Sequence, residues 1–220
     1  MLDVKAVLFD LDGTLIDTER YYRRMWPKAL EHFGYHMSDE QYLSLRSLGR
    51  SFAREQFKEW YGEDFDYDAV RAYRSALFSE CVKADGGIKA KTGAVEILSW
   101  LGSRGIICAI ATATDRDRAE NFLTQAGLIS YFDRICCASQ VKEGKPKPDL
   151  YLFACRELGL SPDECLAVED APNGIRSAAA AGLRVVFVPD QTQDEPEVEE
   201  LIYARAEDLT GLKNIILETS

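Results

Sequence analysis

The amino-acid sequence predicts an α/β protein: a doubly wound parallel sheet that carries a small helical domain inserted after its first strand. Three observations lead to this fold class. Short apolar runs recur along the chain and are nearly continuous rather than alternating, which is typical of strands buried on both faces. Amphipathic segments that stop at a glycine lie between the later runs, as expected for helices. The stretch 18–86 contains no such run and follows helical spacing instead.

The apolar runs and the helical segments between them define the elements of the main domain. The predicted strands are 5–9, 106–111, 134–137, 165–168 and 184–188. The predicted helices are 94–101, 116–126, 149–158 and 173–181, and they are followed by Gly105, Gly127, Gly159 and Gly182. Strand and helix in repeated alternation indicate an open, Rossmann-like sheet.

The inserted stretch has the pattern of a helical cap. Its first helix presents one apolar face, formed by Tyr22, Met25, Trp26, Ala29, Leu30 and Phe33. The segments 42–48, 52–61 and 67–82 also follow helical spacing. We therefore assign 1–17 and 87–220 to the core domain and 18–86 to the cap, with hinges near 17–19 and 85–89. Such an insertion would lie over the C-terminal edge of the sheet, where open α/β proteins bind ligands.

The overall charge limits the classes of partner. The chain has 220 residues and a formal net charge of −11, which disfavours a nucleic-acid partner or an anionic membrane surface. A small phosphorylated substrate remains compatible, because it needs only local positive charge. We expect no membrane partner and a monomer.

The cysteines and the N-terminal sequence indicate the cellular compartment of the protein. The six cysteines form no C-x-x-C pair and have no accompanying histidine spacing, so we expect reduced, buried thiols rather than a disulfide or zinc framework. The N-terminal stretch MLDVKAVLFD lacks the features of a signal peptide, and no apolar run approaches the length of a membrane span. These features predict a cytoplasmic protein.

Two aspartates follow the first strand in the stretch FDLDGTLID. Asp10 and Asp12 could simply belong to a polar turn, since Asp-Gly is a common turn signal. A calcium loop would require glycine at Leu15 and glutamate at Tyr21, so that alternative fails. From this stretch alone, both a polar turn and a pair of chemically active carboxylates remain possible.

Polar residues also follow the later strands. Thr112, with Ala113 behind it, could bind an anion or cap the next helix. Lys145 lies in the stretch GKPKPD, whose prolines stiffen it as a fixed cation or as a surface turn. Glu169 and Asp170 could bind a divalent metal or cap a helix. In a doubly wound sheet these strand ends converge on one edge, where they would supply the groups for Mg²⁺-assisted phosphoryl transfer to a carboxylate.

The ordered stretches FDLDGTLIDTE, the strand end at Thr112, GKPKPD and VEDAPNGI resemble the four motifs of the haloacid dehalogenase superfamily. The helical insertion resembles the cap of the subgroup that includes β-phosphoglucomutase-like proteins and many small-molecule phosphatases. The resemblance implies that Asp10 is the nucleophile and that Asp12 is the general acid and base. The acid at position 12 is absent from the dehalogenases of the superfamily, so its presence favours phosphate-ester chemistry.

The resemblance also implies the remaining roles in the core. Mg²⁺ would be bound by the side chains of Asp10 and Asp170, by the backbone carbonyl of Asp12, and directly or through water by Glu169. The phosphoryl oxygens would be held by Thr112, Ala113 and Lys145. The expected substrate is a small phosphorylated metabolite, such as a sugar phosphate.

The cap residues bear on the choice between phosphatase and mutase. β-Phosphoglucomutase has a histidine at the position of Tyr22 and an arginine at the position of Phe52, and both departures favour a phosphatase. A mutase stays the alternative, and a non-catalytic protein of this fold the remote one. We expect Trp26 in the cap core. The candidate substrate contacts from the cap are Glu19, Tyr22, Gly49, Arg50, Phe52 and Arg54.

Overall fold

The protein folds around a fully parallel sheet, as expected. The computed structural model describes residues 4–219. Its strands are β1 (Ala6–Phe9), β2 (Ile107–Thr112), β3 (Arg134–Cys137), β4 (Cys165–Glu169), β5 (Arg184–Phe187) and β6 (Ala204–Arg205). They form one six-stranded sheet in the order β3-β2-β1-β4-β5-β6. This order reverses direction beside β1, and in open α/β sheets such a switch point opens a crevice at the carboxyl ends of the strands.

The helices divide between the inserted cap and the core. The cap contains α1 (Glu19–His32), α2 (Asp39–Leu45), α3 (Arg50–Tyr61) and α4 (Tyr67–Ala84). The core contains α5 (Ala94–Ser103), α6 (Arg116–Gln125), α7 (Asp149–Leu158), α8 (Pro172–Ala180) and α9 (Leu212–Thr219). The predicted elements are all present with small shifts of their ends, whereas β6 and α9 were not predicted.

The two faces of the sheet are both covered by helices. Val7 and Phe9 of β1 point into a large apolar cluster that includes residues of α5, α6 and α9 and continues into the cap. Ala6 and Leu8 point the other way, into a cluster with residues of α7 and α8. Because both faces are buried, the strands need apolar side chains at every position, which explains the continuous runs in the sequence.

Two neighbouring segments connect the cap to the core. Ile16 forms an isolated bridge with Ala90, and the Asp17 amide donates to the Lys89 carbonyl at 3.1 Å. Within the cap, the Trp26 ring packs against Phe57 with 4.9 Å between centroids, so the predicted core position of Trp26 is confirmed. The chain thus leaves and re-enters the core at one place, with four helices between the two crossings.

Most of the cysteines are buried, as expected. All six cysteines, each within the described range, are free, and five of them are buried. Among the helices described between residues 4 and 219, none combines the length and the apolar character needed to cross a bilayer.

Candidate active site

Asp10 follows the last residue of β1 and lies at the centre of the crevice. Its backbone amide donates to the Val168 carbonyl of β4 at 3.0 Å, which fixes the carboxylate between the two central strands. Nζ of Lys145 lies 2.7 Å from Oδ1 of Asp10. Lys145 is fully buried, with 0% of its surface exposed, so the alternative of a surface turn is wrong.

Lys145 binds a second carboxylate as well. Its Nζ lies 2.6 Å from Oε1 of Glu169, and the hydroxyl of Tyr151 donates to the same oxygen at 2.5 Å. Burial lowers the pKa of Lys145, but the charges of Asp10 and Glu169 outweigh it and raise the pKa above its ordinary value. Burial also raises the pKa of Glu169 to about 7, against the opposing effect of Lys145. The lysine is therefore a permanently charged group between two acids.

Asp170 completes a group of acids that fits a divalent cation. Side-chain oxygens of Asp10, Glu169 and Asp170 all lie within 4.8 Å of one another. One oxygen of Glu169, Oε2, and one of Asp170, Oδ2, are buried with no hydrogen-bond partner. Burying carboxylate oxygens without hydrogen-bond partners costs folding free energy, unless a bound cation takes the place of those partners. Neither acid caps the following helix, since α8 begins after Ala171 without a side-chain cap.

Gly13 makes room for this acid group. A Cβ atom at Gly13 would lie only 2.4 Å from Oδ2 of Asp170, and the backbone has φ = +83°. Both the conformation and the close approach require glycine. Thr14 donates its hydroxyl to Oδ1 of Asp170 at 3.1 Å, whereas Oδ2 of Asp170 is the oxygen without a hydrogen-bond partner.

Asp12 has different neighbours from Asp10, although the two residues are close in sequence. Its two carboxylate oxygens accept hydrogen bonds from the hydroxyls of Thr18 and Thr114, both at 2.7 Å. Desolvation by the surrounding protein and the nearby charge of Asp10 raise the pKa of Asp12, against these two hydrogen bonds. A carboxyl group with a raised pKa that faces the cavity can hold and move a proton, which a carboxylate in a simple turn has no need to do.

The end of β2 forms another wall of the crevice. Thr112 is buried, and its hydroxyl oxygen accepts a hydrogen bond from the Thr114 amide at 3.0 Å. Ala113 lines the cavity beside it. Helix α6 begins after Asp115, whose side chain makes no capping hydrogen bond. Thr112 and Ala113 therefore lie beside Asp10 and Asp12, at the predicted edge of the sheet.

The cap closes the cavity from above, but only some of the predicted cap residues take part. Glu19, Tyr22 and Arg50 line the cavity together with Asp10 and Asp12. Glu19 is buried against the hydroxyl of Tyr42, and burial raises the pKa of Glu19 to about 8 despite that hydrogen bond. The Gly49 amide donates to the Lys145 carbonyl at 2.8 Å, so the cap backbone contacts the core directly.

Phe52 and Arg54 are placed outside the cavity, contrary to expectation. Helix α3 starts at Arg50, and position 52 is rotated about 200° around the helix from position 50. Arg54 lies one turn further along and pairs instead with Asp68 at 2.8 Å. Neither residue is among those that line the cavity.

Several residues at the site were not singled out from the sequence. Ser47 has a positive φ of 55°, and its hydroxyl donates to Oδ2 of Asp10 at 3.2 Å. Arg46 forms a buried ion pair with Glu195. Arg74 and Arg118 also line the cavity. These residues belong to the cap or to the outer helices, and no sequence motif marks them.

The parallel sheet with its helical cap and the acid group at the sheet edge define an α/β enzyme with a capped active site, and comparison with known proteins gives the family. Residues 4–182 match the model of the haloacid dehalogenase-like hydrolases. The chain therefore belongs to the haloacid dehalogenase-like hydrolase family, which confirms the resemblance found in its motifs.

Two relatives and one solved structure indicate the class of enzyme. Hexitol phosphatase A of Escherichia coli (strain K12) is 34% identical over 197 residues, which cover 90% of this chain and 88% of that protein. Fructose-1-phosphate phosphatase YqaB of the same strain is 31% identical over 188 residues, covering 83% and 95%. The crystal structure of CbbY from Rhodobacter sphaeroides in complex with phosphate has a TM-score of 0.79 and 28% identity, covering 95% and 96%. The chain is accordingly a phosphoric monoester hydrolase.

Proposed function

We propose that this phosphoric monoester hydrolase is a Mg²⁺-dependent phosphatase of small phosphorylated carbohydrates, with an aspartyl-phosphate intermediate on Asp10. The observation that carries the proposal is the different environment of the two aspartates. Asp10 is held by Lys145 at 2.7 Å, whereas Asp12 is held by two threonine hydroxyls and has a raised pKa. The first suits a nucleophile and the second suits a proton carrier.

The reaction would proceed in two steps at these residues. In the first, an oxygen of Asp10 attacks phosphorus, the bond between phosphorus and the ester oxygen breaks, and Asp12 gives its proton to that leaving oxygen. In the second, Asp12 takes a proton from a water molecule as the water attacks phosphorus. Inorganic phosphate leaves, and the carboxylate of Asp10 is restored.

The charge of the phosphoryl group needs compensation in both steps. Lys145 is buried and permanently charged beside Asp10, so it is placed to offset phosphoryl charge without reorganisation. The backbone and hydroxyl of Thr112 and the backbone of Ala113 are proposed to hold the other phosphoryl oxygens. Tyr151 and Lys145 both bind Glu169, which fixes the lysine in place.

The acid group fits the proposed metal. Its unpartnered oxygens on Glu169 and Asp170 are buried, and carboxylate oxygens are the ligands that Mg²⁺ prefers. The proposed ligands are the side chains of Asp10 and Asp170, the backbone carbonyl of Asp12 and, directly or through water, Glu169. When bound, the cation would neutralise charge on the phosphoryl oxygens and on the acids around it.

The class of substrate is proposed from the relatives and from the residues that line the cavity. Two of the relatives are named for fructose 1-phosphate and hexitol phosphates, and a small polyhydroxylated phosphate ester matches the mixed aromatic and charged lining provided by Tyr22, Trp26 and Arg50. The cytoplasmic location and the monomeric state stay predictions.

The alternative of a sugar-phosphate mutase receives less support from the cap. Tyr22 occupies the position of the mutase histidine and is buried against Phe78 with 4.8 Å between ring centroids. Phe52, at the position of the mutase arginine, does not line the cavity. A mutase would transfer phosphate from glucose 1,6-bisphosphate to glucose 1-phosphate faster than it hydrolyses either, and that result would overturn the phosphatase assignment.

The test is hydrolysis of a panel of phosphorylated sugars and polyols with and without Mg²⁺. We expect phosphate release that requires Mg²⁺ and is abolished by Asp10→Asn. Asp117→Asn, which changes an exposed aspartate on α6, is the matched control and should retain full activity. Mg²⁺-independent release, or an active Asp10→Asn protein, would refute the mechanism. A folded protein that hydrolyses nothing would favour the non-catalytic alternative.

A further inference from the structure

An arginine of the cap is buried in the roof of the cavity without an acidic partner. Arg74, on α4, is only 7% exposed. Its guanidinium lies 4.7 Å from the ring centroids of both Tyr22 and Trp26. Its Nε is buried and has no hydrogen-bond partner. Within residues 4–219, no carboxylate lies within ion-pair distance of this side chain.

The other cavity arginines of the cap differ from Arg74 in this respect. Arg46 pairs with Glu195 at 2.5 Å, and Arg50 pairs with Asp115 at 2.5 Å. Their charges are balanced within the protein. A buried guanidinium with an unsatisfied Nε donor and no ion-pair partner is unfavourable by comparison, unless a further group supplies the missing acceptor.

Two more arginines strengthen the positive charge around Arg74. Arg118, from the core helix α6, stacks over Phe122 at 5.0 Å and donates to Oγ of Ser75 at 3.1 Å. It also has no carboxylate partner among the residues of the described range. Arg71 lies 3.4 Å from Asp115, an acid that Arg50 already binds. All of these arginines line the same cavity as Asp10 and Asp12.

The electrostatics agree with this geometry. Burial, together with the charges of Arg118 and Arg71, lowers the pKa of Arg74 to about 10, so the guanidinium stays charged at neutral pH.

We propose that Arg74, supported by Arg118 and Arg71, binds a second anionic group on the leaving part of the substrate. This inference rests on the proposed phosphatase function, because it takes the scissile phosphate to lie at Asp10. The ligand chemistry is an oxyanion, either a carboxylate or a second phosphate, that accepts hydrogen bonds from guanidinium donors. The rings of Tyr22 and Trp26, whose centroids each lie 4.7 Å from the guanidinium carbon, hold the cation in place by cation–π contact.

The test uses two pairs of phosphate esters that differ in one anionic group. Fructose 1,6-bisphosphate is compared with fructose 1-phosphate, and 3-phosphoglycerate with glycerol 3-phosphate. Binding is measured by titration calorimetry in the Asp10→Asn protein with Mg²⁺, and kcat/KM is measured with Asp10 intact. We expect the doubly anionic member of at least one pair to bind at least about tenfold more tightly, since a charge-assisted hydrogen bond is lost in the other member. The pair that shows the preference identifies phosphate or carboxylate as the ligand.

The variant Arg74→Met keeps much of the side-chain volume and removes the charge. It should abolish the preference for the doubly anionic member and change binding of the other member less than about threefold, whereas Arg74→Lys should keep part of the preference. Arg24→Met, an exposed arginine of the same cap, is the control and should change neither. If Arg74→Met does not fold, Arg118→Met provides the same comparison with a smaller expected loss.

Two results would overturn the inference. One is turnover of phosphate esters by the unaltered protein with no preference within either pair. The other is an Arg74→Met protein that weakens binding of both members of each pair equally, which would assign Arg74 to cap packing alone. If the doubly anionic esters bind more tightly but the unaltered protein hydrolyses no phosphate ester, the proposed function is refuted and the anion site is still supported.

Discussion

The guanidinium of Arg46, in the cap, forms a buried ion pair with the carboxylate of Glu195, in the core, at 2.5 Å. The same cap segment is held from the core by Asn173, whose amide donates to the Arg46 carbonyl at 2.9 Å. Arg46 also donates to the Asp170 carbonyl at 3.4 Å. The contacts that close the cap over the cavity therefore reach the backbone of the acid group itself.

Arg46→Met should destabilise the closed protein strongly. Removing the arginine leaves Glu195 buried and unpaired, which typically costs about 3–5 kcal/mol. Urea denaturation measures the change, and the double variant Arg46→Met with Glu195→Met should recover most of the loss. Arg24→Met should stay within about 0.5 kcal/mol of the unaltered protein. A loss below about 1 kcal/mol for Arg46→Met would show that the pair does not hold the cap.

Asp12→Asn should affect poor leaving groups more than good ones. A sugar alkoxide needs a proton as it leaves, and loss of the general acid should lower its turnover by about 10²–10⁴-fold. Nitrophenolate leaves without a proton, so p-nitrophenyl phosphate should lose less in the first step. Single-turnover release of the alcohol or phenol measures that step separately. Equal losses for both esters would argue against a proton-donating role for Asp12.

Glu19→Gln should change how stability depends on pH. The pKa of Glu19 is about 8 in the folded protein, against an ordinary value of 4.5. The folded state therefore holds the proton more tightly, and its contribution to stability is present below pH 4.5 and lost as the pH rises through 8. We expect the free energy of unfolding of the glutamine variant to equal that of the unaltered protein near pH 4.5 and to exceed it above pH 8, by up to about 5 kcal/mol.

Urea denaturation with a chelator, at several pH values between 4.5 and 9, measures this difference directly. The comparison with Glu19→Gln cancels the other titrating acids that the two proteins share. A difference in unfolding free energy that stays constant over the range would mean that Glu19 does not carry a raised pKa.

Magnesium should stabilise the protein through the acid group. A ligand at 100 times its Kd adds about 2.7 kcal/mol to the free energy of unfolding, which appears as a rise in Tm. Asp170→Asn should remove most of this rise. Gly13→Ala should do the same, because its Cβ would lie 2.4 Å from Oδ2 of Asp170. Equal rises in all three proteins would place the metal elsewhere.

The core of the site could be predicted from the sequence because its parts lie at strand ends. Asp10, Thr112 and Asp170 directly follow or end apolar runs, and a parallel sheet brings such positions to one edge. Strand β6 was not predicted because Ala204–Arg205, with two residues, is too short to form an apolar run. Helix α9 lies beyond the last predicted strand and contains none of the motifs.

The cap was less predictable, since its contacts depend on how helices rotate and pack. Phe52 was matched to the arginine of β-phosphoglucomutase by its position after Gly49. Because α3 starts at Arg50, however, the side chain at position 52 is turned away from the cavity. Arg74 lies on a helix whose sequence gives no sign of which face meets the core. The left-handed backbone at Ser47, with φ of 55°, also has no marker in the sequence, because such a conformation usually selects glycine.

The paired crossings at Ile16 and Ala90 make the cap an exchangeable module. Because the chain departs and returns through adjacent backbone segments, everything between them can vary in length or composition while β1 and β2 keep their register. The roles proposed for the core, in phosphoryl transfer, and for the cap, in substrate contact, would then lie largely in separate parts of the chain. A new specificity could be acquired by replacing the cap alone, and we expect a chimera that joins another cap to this core at those two points to keep Asp10, Asp12 and Lys145 while losing the hydrogen bond from Ser47 to Asp10.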